Sequence, residues 1–318
     1  MQTEYNICLA PDANYSPHCA AAMASLSVNA ADGEFIKFHI LHSRDLPAEN
    51  IEKLRALDTG RNNFSVNFIR VDENIFKGFP NYGHEPVWYR IKIPSLLEAD
   101  TALYLDCDVI AAAPLAELFA QNMEGFALAA AKDNLYKKLG RKFKIPKGQP
   151  YFNSGVCLIN CKYWREHNLE KEFFDYVAED PQRGWLLDQT LLNILFGGKT
   201  KILPLKYNFQ YVPKFARESC FYEDRAQFRE ALKSPVIIHF FDEFKPWLPG
   251  LGAVHPMQGE YFKYLQMTPW RKTPEELARF RELNEAGRRK AFLKLYLRAV
   301  KRNPQFLLKP YFWGRIFM

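Results

Sequence analysis

The chain lacks most of the features that would place it in a membrane, secreted or metal-stapled class. None of its 318 residues belong to an apolar run approaching the roughly 18 residues that a bilayer-spanning helix needs. Six cysteines (Cys8, Cys19, Cys107, Cys157, Cys161 and Cys220) are scattered along it. Cys157 and Cys161 stand four apart, but no second pair or nearby histidine completes a zinc set. The first residues, Met1 to Asn6, show no basic start leading into an apolar core, so no secretory signal is expected. Reduced thiols in a cytosolic protein follow as the expectation. No glycine fingerprint follows the first strand pattern. Pro11-Asp12-Ala13-Asn14 stands there instead, which argues against a dinucleotide oxidoreductase. Internal repeats and low-complexity segments are also missing.

What is present is the material of a normal packed core, 48% hydrophobic and 25% charged. The charge is uneven. Residues 271–318 hold 13 Lys+Arg against four Asp+Glu, a balance of +9, and the remainder holds 30 against 32, or −2. A near-neutral body with a basic tail predicts an anionic surface as the tail's partner.

Residues 5–10 read as a short buried strand, and Ser16 to Asn29 as a helix with Ser16 as N-cap and Pro17 at its first position. Phe35–His42 and Phe64–Val71 read as strands, separated by a helix over Ala48–Leu57. This rhythm predicts an α/β fold with a mostly parallel sheet flanked by helices. Further on, the pattern predicts a helix over Val87–Glu98 despite Pro94, strands at Ala102–Leu105 and Phe126–Ala131, and a short helix at Pro114–Phe119. Lys132–Pro150 reads as an exposed basic excursion that could close over a bound ligand, with a solvated surface loop as the plain alternative. Tyr151–Asn160 begins as a turn and becomes a strand, helices cover Trp164–Val177 and Asp188–Phe196, and Val236–Phe240 is a last buried strand. The sheet domain is expected to span residues 1–268. A helical, basic and aromatic tail covers 269–318, with Leu277, Phe280 and Leu283, then Phe292, Leu293, Tyr296 and Val300, recurring three to four apart.

The densest chemical signal is Leu103-Tyr104-Leu105-Asp106-Cys107-Asp108-Val109-Ile110. A buried-strand pattern ends in two carboxylates one residue apart. An unpaired buried charge is very costly, and a divalent cation would relieve it by taking oxygen ligands from both. Other polar residues stand at expected element ends: Asp12 and Asn14, Asn153, Asp188, and His239 with Lys245. Each also has a purely structural reading, as turn residues, a helix cap or a core histidine. Parallel topology favours their meeting at one sheet edge.

In order and spacing these segments resemble glycosyltransferase family 8, the retaining nucleotide-sugar transferases, and most closely the bacterial lipopolysaccharide α-galactosyl- and glucosyltransferases. The resemblance runs from about Tyr5 to Trp247. It is carried by Ala10-Pro11-Asp12-Ala13-Asn14-Tyr15, Trp88-Tyr89-Arg90, Leu103–Asp108, Phe152-Asn153-Ser154-Gly155-Val156, Leu187-Asp188-Gln189, and His239 followed by Lys245-Pro246-Trp247. It implies a GT-A fold that takes a UDP-hexose donor and Mn2+ or Mg2+, with Asp106, Asp108 and His239 as metal ligands. It implies nucleotide contacts from Ala10, Asp12, Asn14, Tyr15, Asp106, Cys107 and Lys245. Gln189, Asp188, Asn153 and Arg90 would surround the donor sugar, and either Gln189 or Asp188 would stand nearest the anomeric carbon. Transfer would go to a saccharide acceptor on a surface glycolipid, with the tail on the inner membrane face and no nucleic acid involved. Two departures from the family pattern stand out: Asp242 occupies the position where glycine usually follows the metal-binding histidine, and Ala13 replaces an acidic residue. The rival readings are a catalytically inactive nucleotide-sugar or glycan-binding module and a tail that binds RNA.

Overall fold

The structure is a computed structural model that describes residues 2–77, 79, 85–211, 225–248 and 255–302. Strands β1 (Thr3–Leu9), β2 (Glu34–His42) and β3 (Phe64–Arg70) alternate with helices α1 (Ser16–Asn29) and α2 (Ala48–Arg55). The short helix α3 (Ile93–Leu96) leads to β4 (Thr101–Leu105) and β5 (Val109–Ala111). Then come α4 (Ala116–Phe119), β6 (Leu128–Lys132), α5 (Tyr136–Lys142) and β7 (Phe152–Asn160). Helices α6 (Cys161–Glu166), α7 (Leu169–Glu179) and α8 (Leu187–Phe196) precede β8 (Thr200–Leu203) and β9 (Phe209–Gln210). Helix α9 (Arg225–Lys233), strand β10 (Ile237–His239) and helices α10 (Gln258–Leu265) and α11 (Pro274–Arg302) complete the order.

Seven strands form one sheet in the order β3-β2-β1-β4-β7-β6-β8. All neighbours are parallel except that β7 runs against both β4 and β6. The ends of β1, β4 and β6 and the start of β7 therefore share one edge. A second sheet, β5-β10-β9, pairs β10 against β5 and alongside β9. The turn Asp106–Asp108 is the step from the large sheet into the small one. Leu103 and Leu105 face one core cluster, and Ala102 and Tyr104 face the other, so β4 is covered on both sides. Small residues explain the fit of α1. Its Ala-rich faces are buried nearly all round, and Ser25 Oγ accepts the Ala111 N–H at 2.9 Å, tying α1 to β5.

Several sequence expectations are corrected. Tyr15, not Ser16, precedes α1, and the Ser16 hydroxyl donates to the Asp12 carbonyl at 2.8 Å. Residues 85–92 form a 3-10 stretch, and only Ile93–Leu96 is α-helical, with Pro94 in its first turn. An α-helix through Pro94 would have clashed with the carbonyl of Arg90. The helix expected over Trp164–Val177 breaks at Asn168, whose φ of 52° is left-handed. Asn153-Ser154-Gly155 is not a turn but the start of β7, and the 132–150 excursion contains α5 and buries Asp133 and Asn134. The aromatic end of the tail, Phe306 to Phe317, lies outside the described residues. Helix α11 is tied to α10 by Phe280 on Phe262, ring centres 4.9 Å apart.

Candidate active site

Asp106, Asp108 and His239 each present a ligand atom within 4.8 Å of the others. The two aspartates come from the sheet-to-sheet turn, and His239 comes from β10, whose backbone pairs His239 with Val109. His239 Nε2 lies 3.3 Å from Asp108 Oδ1 and 3.9 Å from Asp106 Oδ2. Its other nitrogen, Nδ1, is 2.9 Å from Asn208 Oδ1. A carbonyl oxygen only accepts, so Nδ1 donates to Asn208, and Nε2 is the nitrogen turned toward the carboxylates. That is the arrangement by which a second residue orients a metal-ligating imidazole.

Asn208 is fully buried and continues inward. Its Nδ2 donates to Asn153 Oδ1 at 2.8 Å, and Asn153 Nδ2 donates to Asp133 Oδ2 at 3.2 Å. The same Asp133 oxygen accepts from Gln189 Nε2 at 3.3 Å. One hydrogen-bonded chain thus joins the imidazole to Gln189. Burial raises the Asp133 pKa, an effect offset in part by the Leu135 N–H, Asn153 and Gln189.

Arg90 is buried beneath the site, stacked on Tyr104 at 4.0 Å. Its guanidinium reaches Asp106 Oδ1 at 3.0 Å, Asp188 Oδ2 at 3.1 Å and the Ser154 carbonyl at 2.5 Å. Asp188 also accepts from the Ser154 hydroxyl at 3.2 Å; burial pushes its pKa up, and Arg90 opposes this. Gln189 Oε1 accepts the Ser154 N–H at 3.1 Å. On the other side, the Lys245 ammonium donates to Asp108 Oδ2 and to the Tyr15 hydroxyl at 2.9 Å. Burial would raise the Asp108 pKa, but His239 and Lys245 outweigh it and hold the group well below the usual carboxylate range.

Gly155 has a steric reason to be glycine. A Cβ there would stand 2.4 Å from His239 Cε1 and 2.5 Å from Asp106 Oδ2. The strand must run bare past the ligand pair. Four carboxylates (Asp106, Asp108, Asp133 and Asp188) face two permanent cations, Arg90 and Lys245. Two hard carboxylates and one imidazole converge, a donor set that fits a single divalent ion such as Mn2+.

Not every candidate residue from the sequence converges. Asp12 and Asn14 are exposed on the loop after β1, where Asp12 Oδ1 accepts the Tyr15 N–H at 2.7 Å. Ala10 is half-buried beside them. The Cys107 side chain is buried in the core against Cys19, which leaves only its backbone for a ligand. Asp242 adopts a φ of 57°. The left-handed backbone that glycine would adopt freely is kept there despite the aspartate. Asp133 and Asn208 were missed from the sequence. Asp133 had a signal: like Asp106, it is the first carboxylate after an apolar strand run, Leu128-Ala129-Ala130-Ala131. Asn208, in Tyr-Asn-Phe, had none.

Comparison with known proteins gives the family. Residues 6–249 match the family described as Glycosyl transferase family 8. A Lipopolysaccharide 1,2-glucosyltransferase of Escherichia coli is 30% identical over 286 residues, covering 86% of this chain and 81% of that protein. General stress protein A of Bacillus subtilis (strain 168) is 26% identical over 267 residues, 81% of this chain and 92% of that one. Among solved structures, the galactosyltransferase LgtC in complex with donor and acceptor sugar analogs superposes with a TM-score of 0.69 at 25% identity, over 86% of this chain and 99% of LgtC. The bifunctional glycosyltransferase WbbM gives 0.72 at 21% identity, but this chain spans only 52% of that protein, so WbbM supports the fold alone. The α/β architecture is that of the GT-A glycosyltransferases. The chain belongs to glycosyltransferase family 8.

Proposed function

We propose that this chain is a divalent-metal-dependent, retaining hexosyltransferase. It would move galactose or glucose from a UDP-sugar to a saccharide acceptor of a surface glycolipid such as lipopolysaccharide. The observation that carries the reading is the convergence of Asp106, Asp108 and the Nε2 face of His239, with Lys245 beside them and the Arg90–Asp188–Gln189 group on the other side. Bound there, Mn2+ or Mg2+ would act as a Lewis acid for the departing diphosphate.

The chain's own residues do the rest. Lys245 supplies a fixed positive charge for the same phosphates once the donor displaces its contact with Asp108. Arg90 holds the Asp106 and Asp188 carboxylates apart. Asp188 has one oxygen taken by both Arg90 and Ser154, so it is poorly placed to act as a nucleophile. Gln189 is pinned by Ser154 at Oε1 and by Asp133 at Nε2; an amide is itself a weak nucleophile. This pattern favours same-face displacement through an oxocarbenium-like state, without the carboxylate intermediate of retaining hydrolases. The loop from Ala10 to Tyr15 would take the uridine.

The names of the relatives support a lipopolysaccharide-type acceptor. No helix among the described residues is long and apolar enough to cross a membrane. Membrane contact on the cytoplasmic side would fall to residues 269–318, where Leu283, Leu293 and Leu297 are exposed on α11 alongside exposed Lys290 and Lys294. The test is mass-spectrometric screening of UDP-hexoses with Mn2+, with and without chelator. Chelator-sensitive transfer or hydrolysis of UDP-galactose or UDP-glucose is expected. An inert protein across the whole donor panel would favour the binding-module reading instead.

A further inference from the structure

The excursion between β6 and β7 borders an open cavity of about 870 Å3 that the donor chemistry does not use. Its lining includes Lys132, Lys137, Arg141, Lys144 and Lys147, and no carboxylate. Among the described residues, Lys132, Arg141, Lys144 and Lys147 make no ion pair, although most other lysines and arginines of the body have an acidic partner. Like charges gathered in a concave wall repel one another and focus a positive potential into the space between them. An anion entering that space would relieve the repulsion.

The position of the cavity narrows the ligand. Both ends of the excursion are anchored in the donor-sugar pocket. Lys132 is followed at once by Asp133, and Pro150 by Tyr151, whose hydroxyl is 2.8 Å from Thr190 Oγ1 next to Gln189. Phe143 stacks on Tyr151 with ring centres 6.0 Å apart, fastening the excursion to that pocket. The volume falls in the range of about 300–1,000 Å3 usual for small-molecule sites, larger than a bare phosphate needs. Tyr136 and the prolines Pro146 and Pro150 supply apolar walls of the kind that cover the C–H face of a sugar ring.

We infer that this cavity is a subsite for an anionic saccharide, holding a phosphate or carboxylate carried by the acceptor while its reacting hydroxyl lies at the donor sugar. The inference rests on the hexosyltransferase reading and adds the acceptor's charge to it. Guanidinium and ammonium groups on flexible stems suit such a group, with Arg141 able to take it in a bidentate manner.

The test uses the full chain saturated with UDP and Mg2+, so that the donor site is filled, and ligand-observed NMR titrations of mannose 6-phosphate, mannose and inorganic phosphate. It is repeated on Arg141→Ser/Lys144→Asn/Lys147→Gln. These residues are exposed and are not metal ligands, and Asn suits the left-handed φ of 55° at Lys144. The expected result is saturable binding of mannose 6-phosphate that weakens about tenfold or more in the variant, with mannose and phosphate each binding less tightly. Equal affinity in the variant, or phosphate alone binding as tightly as the sugar phosphate, would overturn the subsite. Sedimentation with phosphatidylglycerol vesicles should be the same for both proteins. A loss in the variant would make the cavity a lipid-surface patch and overturn the proposal as well. Mn2+-dependent hydrolysis of the UDP-hexose donor without acceptor should be unchanged by the substitutions. Its absence from the wild type would sink the transferase reading separately, whatever the titrations give.

Discussion

Gly155→Ala tests the metal site through the shape of one strand. The added Cβ would stand 2.4 Å from His239 Cε1 and 2.5 Å from Asp106 Oδ2. Ordinary carbon contacts are about 3.5–4.0 Å, so something must yield by roughly 1 Å. Neither neighbour is the loose end of a flexible chain. Asn208 holds the imidazole at 2.9 Å, and Arg90 and Tyr104 hold Asp106 at 3.0 and 2.9 Å. The cost of overpacking at such a site is about 1–3 kcal/mol, which the fold should survive. Displacing catalytic groups by about 1 Å can cost on the order of 100-fold in rate. The variant should therefore melt only a few degrees lower, bind Mn2+ about tenfold or more weakly in calorimetry, and lose roughly 100-fold in kcat/KM. Gly140→Ala is the control, because its Cβ would meet nothing closer than 4.0 Å. Unchanged Mn2+ affinity in Gly155→Ala would show that the strand does not constrain the ligands and would refute this reasoning.

Asp108→Asn should nearly abolish turnover and sharply weaken Mn2+ binding, since one ligand and the Lys245 partner are lost together; wild-type turnover would remove Asp108 from the site. Asn208→Ala frees the His239 ring and should weaken Mn2+ binding by about 10–100-fold, with partial recovery in Asn208→Asp, whose carboxylate can still accept the Nδ1 proton. Asp242→Gly relieves a left-handed φ of 57° worth about 1 kcal/mol and removes an anion near the expected phosphates. It should raise the melting temperature and lower the donor KM; a raised KM would mean that Asp242 contacts the donor productively. His255 is buried and held neutral, its pKa pushed down by burial to about 3. In the unfolded chain it takes up a proton near pH 6.5, so stability falls as the pH drops from about 6.5 toward 3, by up to roughly 1.4 kcal/mol per pH unit from this group. His255→Phe should flatten that slope by one proton in denaturant titrations at pH 7 and pH 5, and an identical slope would show that the histidine is not buried in solution.

How far the sequence reveals this site depends on how local each signal is. Asp106 and Asp108 were legible because charges interrupt an apolar run within six residues. The strand–helix alternation of the first 70 residues was legible because each element carries its own period. The family resemblance supplied the ligand partnership of His239, which no short-range pattern contains. Asn208 was invisible because its role exists only once β9 lies beside β10. Gly155 read as a turn because composition cannot distinguish a glycine needed for φ from one needed for clearance. Pro94 was misread for a related reason: a helical apolar spacing persists through a 3-10 stretch that the proline ring enforces. Asp133 was hidden by the basic composition of the excursion that follows it. That same composition reads as an exposed excursion able to close over a ligand, but it does not reveal the basic concavity that the segment lines.

The proposed chemistry depends on one divalent ion held between Asp106, Asp108 and His239. Electron spin echo spectroscopy of bound Mn2+, with UDP present, measures it most directly. Nitrogen modulation from a directly coordinated imidazole is expected in the wild type and should be absent in a folded His239→Ala protein. The same nitrogen signal in both proteins, or none in either, would contradict it.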